Sequence, residues 1–119
     1  LRFGSYQIYK RKRVSAFIKD ETVIQIGKQQ FWLCFCIEPV KSSILGIYIS
    51  EDRNMLVAEK FIRSLVSTYG KHTVYTDGGR WYDDEACNVI ELKHYLHSSF
   101  QKSLIERVNQ YLKDRIENF

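Results

Sequence analysis

Residues 74 to 82, VYTDGGRWY, decide the architecture of this chain. Val74, Tyr75 and Thr76 are strand formers that run into Asp77 and two glycines, and Asp-Gly beside an apolar segment is a strong hairpin signal. A hairpin needs a second strand at once, and none follows. Residues 82–92 put Ala86, Val89 and Ile90 on one side and read as more helical than extended. The glycines therefore lead out of a strand toward a helix.

Moving toward the N-terminus, Met55, Ala58, Phe61, Ile62, Leu65, Val66 and Tyr69 fall on one helical stripe. Asp52 stands where an N-cap is expected and Gly70 where helices commonly stop. The strand His72–Thr76 must then reach its sheet through a crossover, which returns it parallel to an earlier strand. That earlier strand is one of three. From Phe17 to Ile26, Ile18, Thr22, Ile24 and Ile26 alternate with Lys19, Glu21 and Gln25, which predicts a half-buried strand closed by a turn at 27–30. Phe31–Glu38 is apolar on both faces and so central. Ile44–Ile49 follows after a short connection, giving an antiparallel meander of three.

Toward the C-terminus, Lys93–His97 predicts a short fifth strand. A last helix over Lys102–Asn118 carries an apolar face of Leu104, Ile105, Val108, Tyr111, Leu112 and Ile116. The sum is an α/β fold with a mixed five-stranded sheet, three antiparallel strands and then parallel additions, with helices packed on it. This is the ribonuclease H-like arrangement.

With 119 residues, 45% of them apolar, the chain suits one domain with a real core. Nothing repeats, nothing is low-complexity, and there is no room for a flexible linker. The longest apolar run, Phe31–Ile37, is far short of the roughly 20 residues of a membrane span, and the first residues lack a signal-peptide pattern. No membrane partner is expected, and a cytoplasmic location is. Three cysteines do not close a disulfide framework, and Cys34 and Cys36 share one strand face, a poor geometry for bridging. A net charge of +4 permits a nucleic-acid partner. Its densest part, Lys10-Arg11-Lys12-Arg13, is either a solvated run or a set of phosphate contacts placed just ahead of the first strand.

Two carboxylates stand out by position. Asp20 shares a face with Ile18, Ile24 and Ile26, where an unpaired charge costs several kcal/mol unless it finds a cation or a metal. The plainer alternatives are a strand-end acid paired with a neighbouring Lys or Arg, or simply an exposed position on an edge. Asp77 closes the fourth strand at the carboxyl edge, where sheets with crossovers gather functional groups, and its glycines would clear space for a ligand. The competing reading is a turn acid that caps the next helix. On the last helix Glu106 lies off the apolar stripe, among Lys102, Asn109, Gln110 and Lys113, and periodicity does not separate it from a solvated acid such as Glu117.

The stretches FIKDETVIQIGKQQFWLCFCIEPVKSSILGIYIS, VYTDGGRWYDDEACNVI and SLIERVNQYLKDR resemble the DDE transposases of prokaryotic insertion sequences, most closely copies common in archaea. The resemblance runs from about Arg13 to Phe119 and implies that Asp20, Asp77 and Glu106 are the catalytic, metal-holding acids. Lys113, seven residues after Glu106, matches a basic residue that many such families place two helical turns beyond their glutamate. Tyr82 and Ala86 agree with a loose pattern that follows the second aspartate. The interval from Asp77 to Glu106 is shorter than in many insertion-sequence families, and no helix-turn-helix segment lies ahead of the first strand. The expected organisation is thus one catalytic domain over 1–119 with a basic lead-in over 1–15, lacking an upstream DNA-binding domain: a fragment, an excised core or a decayed copy.

The implied chemistry is metal-dependent DNA cleavage and strand transfer during transposition. Both steps are in-line displacements at phosphorus, served by two divalent ions about 3.5 to 4 Å apart. Hard oxygen ligands suit Mg²⁺ or Mn²⁺. The resemblance further implies a DNA-backbone contact from Lys113 and a homo-oligomer on paired element ends that also engages target DNA. Lys102 and the run Lys10, Arg11, Lys12 and Arg13 are candidate DNA contacts by charge and position, and Trp81, beside Asp77, is either a core or rim residue or a ring that touches DNA. A nuclease of the same fold without strand transfer, and a silent DNA-binding remnant, are the rival functions. His94 and His97 on one strand would face opposite sides, and Cys34 and Cys36 lack a second ligand pair, so packed or solvated roles suit them better than zinc.

Overall fold

The computed structural model describes residues 4–7, as backbone, and 13–117. In chain order the elements are β1 (Gly4–Gln7), β2 (Phe17–Ile26), β3 (Gln29–Glu38), β4 (Ser43–Ser50), α1 (Met55–Tyr69), β5 (Val74–Thr76), α2 (Trp81–Ile90), β6 (His94–Leu96) and α3 (Ser99–Glu117). Among the described residues the strands form one six-stranded sheet in the order β1-β4-β3-β2-β5-β6. β2, β3 and β4 pair antiparallel, while β5 joins β2 and β6 joins β5 in parallel. The five expected strands and their mixed pairing are present. β1 is an addition, laid antiparallel on β4 inside the expected lead-in, and four residues are too few to show a period of two. Lys10, Arg11, Lys12 and Asn118 lie outside the described residues.

The local reasons are mostly short-range. Only Gly27 and Lys28 separate β2 from β3, with Gly27 at φ +61°, so Gln29 and Gln30 belong to the strand and not to the turn. The N-cap of α1 is Asn54, whose Oδ1 accepts the Val57 N–H at 3.0 Å, not Asp52; the helix starts at Met55, two residues too late for Asp52 to reach it. Gly70 ends α1 at φ +85°, its N–H donating to the Val66 carbonyl at 2.8 Å. α3 begins before its apolar stripe does. The Gln101 N–H donates to Ser98 Oγ at 3.2 Å and the Ser98 N–H to Gln101 Oε1 at 2.9 Å, a reciprocal cap that fixes the start at Ser99.

Helices cover both faces of the sheet, making two cores. α1 and α2 bury Phe61, Ile62, Leu65, Ala86 and Cys87 against Phe17, Cys34 and Cys36. α3 buries Leu104, Ile105, Val108 and Leu112 against Ile18, Leu33, Phe35 and Ile37. Because β3 alternates between the two cores, it is apolar throughout, and it lies between β2 and β4 as its sequence implies. Burial pushes the Cys34 and Cys87 thiols up to about 12, which leaves them protonated core residues.

The expected half-buried character of β2 is corrected. Lys19, read as a solvent-facing residue, is 1% exposed, because the face opposite Asp20 is a second core under α1 and α2. Its charge is matched by Asp83 of α2, also buried, whose Oδ1 lies 2.7 Å from Lys19 Nζ.

Candidate active site

The pairing of β2 with β5 sets the site. Phe17 stands opposite Val74 and Ile18 opposite Tyr75, so two residues further along both chains Asp20 and Asp77 reach the same height at the carboxyl edge. Asp20 is half-buried and Asp77 exposed. Burial, with the negative charge of Asp77 adding to it, pushes the Asp20 carboxyl up to about 6 against the pull of the Glu21 backbone N–H. A half-buried acid raised in this way beside a second carboxylate is a group that a cation relieves, and the oxygens of the two are the hard donors that Mg²⁺ prefers.

The loop after Asp77 is built for position. Asp77 Oδ1 accepts the Gly79 N–H at 2.9 Å, and the Gly78 N–H donates to Thr76 Oγ1 at 3.1 Å. Thr76 Oγ1 is in turn 2.5 Å from His94 Nε2, whose Nδ1 lies 3.1 Å from Asp84. Asp77 does not cap α2. The cap position belongs to Arg80 and carries no side-chain hydrogen bond. Nor does Gly78 leave open space for phosphate: at φ +73°, a Cβ there would stand 2.3 Å from Leu96 Cδ2, so the gap is filled by Leu96.

His97, expected to be packed or solvated, has a more specific place. It is 9% exposed, and its Nε2–H donates to the Lys19 carbonyl at 3.2 Å and the Tyr75 carbonyl at 3.1 Å, bridging β2 and β5 just short of the two acids. Burial holds its pKa below the usual value despite those bonds and the nearby charge of Asp77, with Lys102 adding to the lowering. The ring is therefore a neutral cross-link.

α3 packs on the same sheet face as Ile18, with Glu106 exposed on it. Glu106 is one turn beyond Lys102, which is near enough to His97 to act on its charge. Lys102 is exposed and Lys113 half-buried. Among the described residues no three His, Cys, Asp or Glu side chains form a ready cluster for a metal ion. The structure thus brings Asp20 and Asp77 together and leaves Glu106 on the helix above that face. Trp81 is 70% exposed at the start of α2, beside the loop, and Arg13 is exposed ahead of β2.

A polar cluster that sequence reading missed lies under Asp20 on the opposite face. The Tyr82 hydroxyl donates to Glu21 Oε1, and the same oxygen is 3.6 Å from Arg53 Nε and 3.7 Å from Arg80 Nε. Cys34 Sγ lies 3.5 Å from Glu21 Oε2, and the Arg53 guanidinium stacks 4.0 Å over the Trp32 ring. The only signal in the sequence is a charged residue on each side of Asp20, which alternation assigns to solvent.

No family model matches the chain. An uncharacterized protein of Methanocaldococcus jannaschii is 30% identical over 74 residues, a match that covers 61% of this chain and 35% of that protein. The chain therefore spans about a third of the length of this relative. Among solved structures, a chain of the simian T-cell lymphotropic virus intasome in complex with the PP2A regulatory subunit B56 gamma is similar at a TM-score of 0.69 and 16% identity, over 94% of this chain and 44% of that one. The HTLV-2 integrase catalytic core domain in complex with magnesium is similar in its dimeric form at a TM-score of 0.67 and 18% identity, over 87% of this chain and 71% of that one. Its trimeric form gives a TM-score of 0.64 at 20% identity. At such identities the likeness is one of fold: the chain has the ribonuclease H-like fold of integrase catalytic cores. None of the described helices is long and apolar enough to cross a membrane.

Proposed function

We propose that this chain is the catalytic domain of a DDE transposase, a metal-dependent polynucleotidyl transferase that cleaves DNA at an element's ends and joins the freed 3′ hydroxyl to target DNA. The observation that carries the reading is the pair Asp20 and Asp77, level with one another at the carboxyl edge of adjacent parallel strands, where the antiparallel and parallel halves of the sheet meet. Glu106 joins them from α3. The oxygens of these three acids would hold two Mg²⁺ or Mn²⁺ ions, which when bound activate the attacking oxygen and stabilise the leaving one.

The chain's own residues do the rest. Asp20, set in the sheet, holds a fixed oxygen; Asp77, exposed on its loop, admits the phosphodiester. Lys102 and Lys113 on α3, with Arg13 and its neighbours Lys10, Arg11 and Lys12, contact DNA phosphates and fix the register of the strand. Trp81 offers an exposed ring on which a base stacks. A homo-oligomer on paired ends belongs to the same reading.

The test is incubation with Mn²⁺ and oligonucleotides carrying the inverted repeats that flank the gene. Product joined to target DNA supports the transposase, simple nicks reassign the chain to a nuclease of this fold, and binding without metal-dependent turnover identifies a silent remnant.

A further inference from the structure

Each neighbour of Asp20 is tied to the segment that carries Asp77. Lys19 and Glu21 point away from Asp20, into the core under α1 and α2, and both meet the start of α2. Lys19 Nζ donates to Asp83 Oδ1 at 2.7 Å, with both side chains buried. Glu21 Oε1 accepts from the Tyr82 hydroxyl and pairs with Arg80 Nε at 3.7 Å. Between Asp77 and Asp83, three residues are thus fastened to the two that flank Asp20, and upstream the Ile18–Tyr75 pairing fixes the strands themselves.

A buried ion pair is weak ground for stability, since well-packed apolar residues of similar volume often do as well or better. What the pair does give is direction. Lys19 and Asp83 meet in one geometry, and shifting α2 along β2 would leave a buried charge alone, at high cost. The loop 77–80 has ties of its own, from the Gly79 N–H to Asp77 Oδ1, from the Gly78 N–H to Thr76 Oγ1 and through Leu96 against Gly78. These hold it to itself and to β5 and β6, while its link to β2 runs through the start of α2.

We propose that Lys19, Glu21, Tyr82 and Asp83 form a clamp that sets the separation of Asp20 and Asp77, so that they are positioning residues for the acid pair. This role rests on the reading of that pair as the catalytic site. In it the clamp prearranges oxygens that would otherwise have to be ordered as substrate binds, a gain in turnover and not in substrate affinity.

The test uses the full chain with Lys19→Met and Asp83→Leu combined, which removes both charges together and leaves neither stranded, and separately Tyr82→Phe, which keeps the ring in the core and deletes the hydroxyl. Without metal, backbone ¹⁵N order parameters for Asp77, Gly78 and Gly79 should fall from the rigid range near ~0.85 toward ~0.6 in both variants, while the urea midpoint stays close to the parent's. In Mn²⁺-dependent cleavage, kcat should fall about tenfold or more with KM within about twofold, the pattern of an interaction expressed in the transition state. Parent-like order parameters in both variants overturn the clamp, whatever the activity. Should the double variant fail to fold, Tyr82→Phe carries the same two readings. A parent chain that shows no metal-dependent turnover sinks the catalytic reading instead, and the order parameters still decide whether the clamp exists.

Discussion

Asp20 and Asp77 stand two residues past the paired Ile18 and Tyr75 on adjacent parallel strands, and Asp20 feels the charge of Asp77 across that gap. A parallel ladder sets this relationship by register alone, without either acid having to pack against the other. It makes the carboxyl edge of β2 and β5 acidic by construction, and most of what can be tested follows from it.

The first consequence is a stability cost that appears as pH rises. Burial, aided by Asp77, moves the Asp20 carboxyl from 3.8 up to about 6. Between those values the folded chain binds more protons than the unfolded one, so Asp20 lowers stability as pH climbs through the window and exacts its full cost above it. That cost is at most about 3 kcal/mol, from the size of the shift. His97 acts in the opposite sense. Its lowered pKa means that the folded chain gives up a proton the unfolded chain keeps, so stability drops as pH falls through the histidine range. Comparing the parent with Asp20→Asn separates the two. Urea midpoints should show the variant more stable by roughly 1 to 3 kcal/mol near pH 7 and little different near pH 4. A gap of equal size at both pH values would show that the acid is not strained.

A divalent cation should reverse that cost. If Asp20 and Asp77 share an ion, Mg²⁺ or Mn²⁺ stabilises the folded chain by about 2.7 kcal/mol at a concentration of roughly 100 times Kd. Thermal unfolding followed with and without Mn²⁺, and again after chelation, should show the shift in the parent and its loss in both Asp20→Asn and Asp77→Asn. A shift that survives in either variant would place the ion elsewhere.

Glu106→Gln separates chemistry from folding more cleanly than either aspartate, because Glu106 is exposed and its replacement disturbs no core. The melting temperature should stay within the small range of surface substitutions. Turnover should fall at least about 100-fold, since even partners one shell outside a metal cost roughly 10–100-fold. Near-normal cleavage by this variant would remove Glu106 from the site and leave a two-acid centre.

How far the fold and site were legible in the sequence follows from the range of the forces involved. α1 was readable because Ala58, Phe61, Ile62 and Leu65 are buried on a single stripe, and β3 because it is apolar on both faces. Lys19 was not, since alternation along β2 reports two faces but not that a second layer of helices covers the polar one. Asp83, its partner 64 residues away, carries no local mark at all. The same limit applies to the site. Asp20 was visible as an acid on an apolar face, and Asp77 as an acid at a strand end, whereas Glu106 rested on family resemblance and His97 on nothing that a linear pattern shows. Its two carbonyl partners come from different strands.

The start of α1 shows the same limit at a distance of two residues, and it can be measured. Asp52 and Asn54 are both good capping types, and only the position of Met55 as the first helical residue selects Asn54. Asn54→Ala should cost about 1 kcal/mol in urea unfolding, the usual loss for a removed N-cap, and Asp52→Ala less than about 0.5 kcal/mol. The reverse order would move the helix start back to where the sequence pattern put it.

The proposed role of α3 in holding DNA gives the last prediction, and its logic is electrostatic. Lys102 is exposed near His97, and Lys113, half-buried, lies further along the same helix; the core face of α3 is made by Leu104, Ile105, Val108 and Leu112. Phosphate contacts release counterions, and the slope of log affinity against log salt counts them at about 0.9 for each contact on duplex DNA. Lys102→Ala and Lys113→Ala should each lower that slope by about 1 and weaken binding evenly across unrelated sequences, because a phosphate contact carries no base information. Trp81→Ala should behave differently. An exposed ring acts by stacking, worth about 1–3 kcal/mol per base, so its loss should weaken binding to single strands while the salt slope stays unchanged. Fluorescence anisotropy over a salt series with duplex and single-stranded probes makes both comparisons. Lysine variants with the parent's slope would take α3 out of the DNA interface, and a tryptophan variant with a reduced slope would mean that Trp81 acts by ordering a basic neighbour such as Arg80 and not by touching a base.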